Sequence, residues 1–300
     1  MGLKVAINKK SFEKNGKPFF YLADTCWSAF TNINENDWKY YLQYRKRQGY
    51  NVLQINILPQ WDASATDLNH SPYQKDEKGN YQFDKLNDSY FNHARSMCEV
   101  AKEYGFELAL VVLWCNYVPA TWANNMLSHN TMPYEEIDGY IKKVNETFTD
   151  LDPLYVISGD TDLNEEISCS YYLKASQLLH ELAPNCLQSL HVRGRLMEIP
   201  EKLIKQMDFY MFQSGHNAKL ENRAMPYCLP EYFIEHYPVK PLLNSEPCYE
   251  QMGYSSNMYG RFHQFEIRRA AWQSILTGAF AGITYGAAGI YSWHTYGKEF

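Results

Sequence analysis

Several things this chain of 300 residues lacks narrow what it can be. It has no Cys-x-x-Cys pair. Its seven cysteines (Cys26, Cys98, Cys115, Cys169, Cys186, Cys228 and Cys248) are scattered and odd in number, which fits neither a disulfide framework nor a zinc ribbon and predicts free thiols in a reducing compartment. It has no basic excess: the formal net charge is -6, and the one local cluster, Arg268 with Arg269, lies inside a helical pattern, so no nucleic-acid partner is expected. The N-terminus MGLKVAINKK carries no apolar leader, and no stretch reaches the roughly 18 unbroken apolar residues of a membrane span. The expectation is a soluble, cytoplasmic chain with no membrane partner. Gly-x-Gly-x-x-Gly, phosphate-loop and Gly-x-Ser-x-Gly patterns are missing, and the nine histidines show no ligand spacing, so neither a cofactor nor a metal is expected. There is no low-complexity segment and no linker rich in proline or serine that would mark a second domain.

What is abundant is aromatic. With 25 Tyr, 15 Phe and 7 Trp, rings make up 16% of the chain, most of them needed for a core but well suited to a cleft that holds sugars. Short apolar runs alternate with helical patterns at a steady interval, the signature of parallel strands joined by crossover helices. SFEK and PFFYLAD flank the turn dipeptide Asn15-Gly16 and predict a hairpin over residues 1–18 whose second arm continues as the first barrel strand. NVLQINIL, FELALVVLW, YVISG, CLQSLHV, DFYMFQSG, PLLNSE and GITYG supply seven more strands, which predicts an α/β fold, a (β/α)8 barrel over residues 19–300. The polar, aromatic stretch from Gln60 to Asn87 is too long for an ordinary connection and is expected to overhang one face. After Trp293 too few residues remain for the last outer helix, so the barrel is expected to be truncated at its C-terminus.

In such a barrel the active site lies at the C-terminal ends of the strands. Here those ends are polar and aromatic throughout: Asp24 with Trp27; Gln60, Trp61 and Asp62; Trp114 and Asn116; Asp160; His191; Gln213 and His216; Glu246; and a last strand leading to Trp293. Singly, an Asp after a strand is an ordinary helix cap and a Trp is ordinary core. Eight strand ends converging on one face are not ordinary. Asp160, directly after Gly159, and Glu246 end the fourth and seventh strands, across the mouth from one another, as glycosidic cleavage requires of its two carboxylates. Gly159 is expected to permit close backbone approach and an unusual dihedral that turns Asp160 inward. Asp162, Glu165 and Glu166 read as cap and first-turn residues of the next helix. Glu250 stays open as an alternative nucleophile or a substrate contact, with Tyr249 orienting whichever glutamate acts.

The runs GKPFFYLADTCW, YYLQYRKRQGYNVLQINILPQW, YFNHARSMCEVAKEYGFELALVVLW, YVISGD, NSEPCYE and GITYGAAGIYSW together resemble the DUF4038, apiosidase-like glycoside hydrolases of the GH140 group, over about residues 11–293. The resemblance implies a TIM barrel acting on plant cell-wall glycans, with a known activity against apiose linkages in rhamnogalacturonan-II. It places the family's acid on Asp160 and its glutamate on Glu246. Ser158 stands where the family commonly has a second Gly, and the usual C-terminal segment is absent from this sequence. The resulting expectation is a retaining hydrolase of oligosaccharides with Asp160 as acid/base and Glu246 as nucleophile. Trp27, Trp61, Trp114, Tyr249 and Trp293 are candidate sugar platforms, and Asp24, Gln60, Asn116, His191, Gln213, His216 and Glu250 candidate polar contacts. The rival from another class is a catalytically silent barrel that only binds carbohydrate.

Overall fold

The computed structural model describes residues 2–299. Eight parallel strands form a nearly closed barrel: β1 (Tyr21–Thr25), β2 (Val52–Asn56), β3 (Glu107–Trp114), β4 (Leu154–Gly159), β5 (Gln188–Ser189), β6 (Tyr210–Phe212), β7 (Leu242–Asn244) and β8 (Gly282–Tyr285). Ladders run from β5 through β4, β3, β2, β1, β8 and β7 to β6. At the remaining seam, between β5 and β6, Asp208 N–H donates to the Gln188 carbonyl (2.9 Å) and Ser189 Oγ–H to the Phe209 carbonyl (2.8 Å). These bonds draw the edges together without a regular ladder.

Outer helices follow most strands. Asn34 caps α1 (Glu35–Arg47), accepting from Asp37 N–H, and the helix turns Trp38, Tyr41 and Leu42 inward before stopping at Gly49, whose φ of 91° only glycine adopts freely. Asn87 likewise caps α2 (Asp88–Glu103), and α3 (Ile137–Phe148) buries Ile137, Ile141, Val144 and Phe148. Then come α4 (Glu166–Leu182), the single turn α5 (Glu201–Ile204), α6 (Met225–His236) and α7 (Gln264–Thr277). Among the described residues no helix follows β8, and none is long and apolar enough to cross a membrane.

Two elements differ from expectation. The N-terminal segment is a three-stranded antiparallel sheet of Lys4–Val5, Phe12–Lys14 and Lys17–Phe19, and its last arm does not run on into β1. The ladder breaks at Phe20 because β1 must leave it to pair in parallel with β2 and β8. Phe12 from this sheet packs edge-on to Phe209 (5.2 Å between centroids) and against Tyr21, plugging the N-terminal end of the barrel. The long stretch after β2 is also not plain loop. Tyr73–Lys75 and Tyr81–Leu86 pair as a hairpin around a turn in which Asp76 accepts from Lys78 and Asn80 N–H, and Tyr73 and Phe83 bury their rings near Tyr117 and Tyr140.

Candidate active site

Trp114, at the end of β3, lies flat over the end of β4. A Cβ on Gly159 would sit 1.9 Å from Trp114 Cε3, so only glycine allows this approach. The unusual dihedral falls one residue later than expected, on Asp160 itself, whose φ is 49°. A non-glycine residue in that region is strained and must be held there. Its peptide is held on both sides: Asp160 N–H donates to His191 Nδ1 (3.0 Å), and Trp122 Nε1–H donates to the Asp160 carbonyl (2.7 Å).

Glu246, just past β7, is buried between two imidazoles. His216 Nε2 stands 2.7 Å from Oε1, and His191 Nε2 stands 3.1 Å from Oε2 but off the axis of a good hydrogen bond, so the His216 contact is the stronger. Both rings are oriented from behind. His191 Nδ1 accepts from Asp160 N–H, and His216 Nδ1 accepts from Tyr249 N–H (3.3 Å). An acceptor Nδ1 puts the hydrogen on Nε2, so both imidazoles aim an N–H at the same carboxylate.

The two carboxyls are driven apart. Burial pushes Asp160 well above the usual carboxylate range, and the charges of Glu246 and Asp62 push it further, against a Gln213 side-chain hydrogen bond and Arg193. Burial also acts to raise Glu246, but the close imidazoles of His191 and His216 outweigh it and hold Glu246 below its ordinary value. The same surroundings thus favour the neutral form of Asp160 and the charged form of Glu246.

The remaining candidates divide. His191, His216, Gln213 and Tyr249 gather at the acid pair; the Tyr249 ring stands edge-on to His216 at 4.6 Å. Trp27 and Trp114 are not open platforms. They pack on each other and on His191, with 3% and 4% of their surfaces exposed, and so form a wall that fixes the imidazole. Trp61 is exposed at the rim, edge-on to Trp122. Gln60 spends its amide on Ser28 and Asn56. Asn116 is buried, its Oδ1 without a protein partner. Three candidates face elsewhere. Asp24 is fully buried against α1, accepting from Arg45 Nε–H (2.6 Å) and Tyr41 O–H (2.5 Å); Trp293 packs edge-on against Tyr41; and Glu250 accepts from Tyr285 O–H (2.6 Å) rather than meeting the two histidines. For Asp24 the reason is the alternation of a strand, in which inward and outward residues differ by one position; Glu250 and Trp293 lie in the segments after β7 and β8, where tertiary contacts set the direction.

Beside Asp160 opens a cleft of about 880 Å³ whose lining includes Trp122, Arg193, Arg195, Gln213 and His216. Trp122 and the two arginines, together with Asp62 and Tyr291, belong to the site but were not among the expected contacts. Trp122 opens a short helix (Trp122–Met126) and the others sit in loops after the strands, where no periodicity marks them; for Asp62 its place next to Trp61 at a strand end is the available signal. A smaller apolar pocket lined by Tyr210, Phe233 and Leu242 lies at the opposite end of the barrel, away from the acid pair.

A family model for the apiosidase-like catalytic domain matches residues 7–299. Among solved structures, the chain is similar to a glycoside hydrolase family 5 protein from Bacteroides vulgatus ATCC 8482 (TM-score 0.79, 22% identity, 99% of this chain and 64% of that one). It is similar also to a structure described as a glycoside hydrolase (TM-score 0.79, 24% identity, 99% and 67%) and to an endo-1,4-beta-mannanase from Rhizomucor miehei (TM-score 0.62, 12% identity, 95% and 90%). At these identities the structural likeness shows the shared barrel. The chain spans under two thirds of the Bacteroides protein's length. No curated protein matches it.

Proposed function

Since the chain belongs to the apiosidase-like catalytic-domain family, we propose that it hydrolyses O-glycosidic bonds in glycans of the plant cell-wall type, with retention, using Asp160 as acid/base and Glu246 as nucleophile. What supports this reading is geometry: Asp160 after β4 and Glu246 after β7 stand at one mouth, Glu246 lies between His191 and His216, and the Asp160 N–H holds His191, with burial and the Glu246 charge pushing the Asp160 carboxyl up and the two imidazoles drawing Glu246 down. In the first step a Glu246 oxygen attacks the anomeric carbon as the bond to the leaving oxygen breaks, and Asp160 gives that oxygen its proton. In the second, Asp160 takes a proton from water, the water oxygen bonds to the anomeric carbon, and Glu246 departs as carboxylate. His191 and His216 stabilise Glu246 whenever it carries charge, at the start and as leaving group.

The cleft beside the proton donor is where the leaving sugar would lie, and its charge supports a substrate class. Arg193 and Arg195 both line it, and Arg195 is lowered by burial and then by the neighbouring Arg193. Two guanidiniums crowded on one wall suit an anionic leaving group, such as a uronate carboxylate, which Arg can grip in bidentate fashion. The test is incubation with rhamnogalacturonan-II oligosaccharides and a panel of aryl glycosides. Release of sugar with the substrate's anomeric configuration in the first product, followed by proton NMR, is expected. Release of the opposite anomer, or no release from any substrate, would refute the reading.

A further inference from the structure

Asp62 is placed more firmly than a loop residue needs to be. On one side, Trp61 packs edge-on to Trp122 (5.5 Å), whose indole N–H holds the Asp160 carbonyl. On the other, the Ser64 carbonyl accepts from Asn32 Nδ2–H (2.7 Å) and Ser64 Oγ lies 3.0 Å from Ser292 Oγ. Between these anchors the Asp62 carboxylate meets the hydroxyl of Tyr291. The Tyr291 ring packs on Tyr249 at 5.5 Å, Tyr249 on His216 at 4.6 Å, and His216 bonds Glu246. Asp62 therefore stands near Glu246 and His216, close enough for its charge to reach Asp160 as well, and is not among the residues lining the arginine-bearing cleft.

We propose that Asp62, pinned by Trp61 and Ser64 and steadied by Tyr291, accepts hydrogen bonds from the hydroxyls of the sugar ring whose anomeric carbon faces Glu246, and so selects a ring bearing vicinal hydroxyls there. The location rests on the hydrolytic reading above. A carboxylate has about four acceptor sites, and Tyr291 with the residue's own backbone N–H occupies two, which leaves room for a pair of sugar hydroxyls. The groups around Asp62 are the acid Glu246, the Tyr291 hydroxyl, the His216 imidazole and, within reach of its charge, Asp160. Burial, with the Glu246 charge adding to it, raises Asp62 to about 6. A carboxylate kept beside another is costly when the site is empty, and hydroxyl donors from a ligand offset that cost. The nearby Tyr249 hydroxyl, 1% exposed, also lacks a well-aligned protein partner.

The test uses Asp160→Asn protein, which keeps Glu246 charged but cannot protonate a sugar leaving group. It is titrated calorimetrically with rhamnogalacturonan-II oligosaccharides, with and without Asp62→Asn. The added change is expected to weaken Kd at least tenfold at pH 7 with Tm retained, and Tyr291→Phe to weaken it less. Affinity of the Asp62-containing protein should fall as pH drops through about 6, where Asp62 takes up a proton, and the Asp62→Asn protein should lack that fall. Glu246, His216 and Tyr291 are common to both proteins, so the difference isolates Asp62. Tight binding unaffected by Asp62→Asn, or a loss without the pH signature, overturns the inference alone. No binding by either protein overturns it together with the hydrolytic reading.

Discussion

Replacing Asp24 by Asn separates a structural acid from a substrate contact. Asp24 is fully buried, and its Oδ2 takes both the Arg45 Nε–H and the Tyr41 O–H. Arg45 is 7% exposed; it donates also to Gln48 Oε1 (2.8 Å) and lies within 6.0 Å of the Tyr41, Tyr44, Tyr50 and Tyr285 ring centres. Those ring faces favour a cation but do not neutralise it. Removing the carboxylate charge strands a buried guanidinium, which costs about 3–5 kcal/mol. For a chain of this length the unfolding entropy is about 0.6 kcal/mol/K, so Tm should fall by roughly 5–8 °C. The assay is thermal melting at pH 7 alongside kcat/KM on a cleaved oligosaccharide. Adding Arg45→Met, which removes the stranded charge, should recover most of the loss, and kcat/KM at a temperature where both proteins are folded should change by less than about threefold. A collapse of kcat/KM with Tm unchanged would refute this and return Asp24 to the mouth.

Asp160→Asn should lower kcat about 10²- to 10⁴-fold on a sugar leaving group and much less on a nitrophenyl glycoside, whose leaving oxygen needs no proton, while Glu246→Gln should abolish turnover of both; steady-state kinetics decide. The Asp160 proton is held by burial, then by the charges of Glu246 and Asp62, so Asp62→Asn should move the basic limb of the kcat/KM profile to lower pH. Gly159→Ala drives a methyl into the Trp114 ring and should cost about 1–3 kcal/mol in Tm-derived stability, with loss of activity as His191 loses its wall. Arg193→Gln with Arg195→Gln should raise KM for a uronate-bearing substrate and leave an uncharged aryl glycoside unaffected, as paired kinetics would show.

The barrel was legible because its signal is repeated. Eight apolar runs ending in polar residues, separated by capped helices, fit one architecture, and strands such as β3, buried at all eight positions, have no other use in a chain of this kind. What was missed depends on contacts between distant segments. The break at Phe20 follows from pairing of β1 with β8, more than 250 residues away, and local propensity carries no trace of it. The hairpin after β2 is fastened by rings from Tyr117 and Tyr140, so its own short strands looked like loop.

For the candidate site, sequence position alone does not reveal which way a strand-end side chain points. Asp24 and Asp160 both follow apolar strand residues, yet one points outward to α1 and the other turns into the mouth, because Asp160 adopts a positive φ that His191 and Trp122 impose. The same local rule cannot distinguish Glu246 from Glu250. What distinguishes them is the pair of imidazoles, and each imidazole is aimed by a backbone N–H on a different strand end: Asp160 aims His191, and Tyr249 aims His216. The peptide of Asp160 thus orients an imidazole that faces the Glu246 carboxylate. Any change that relaxes the left-handed turn at Asp160 should disturb both carboxyls at once, which makes the strain at that residue a feature of the chemistry and not of the fold.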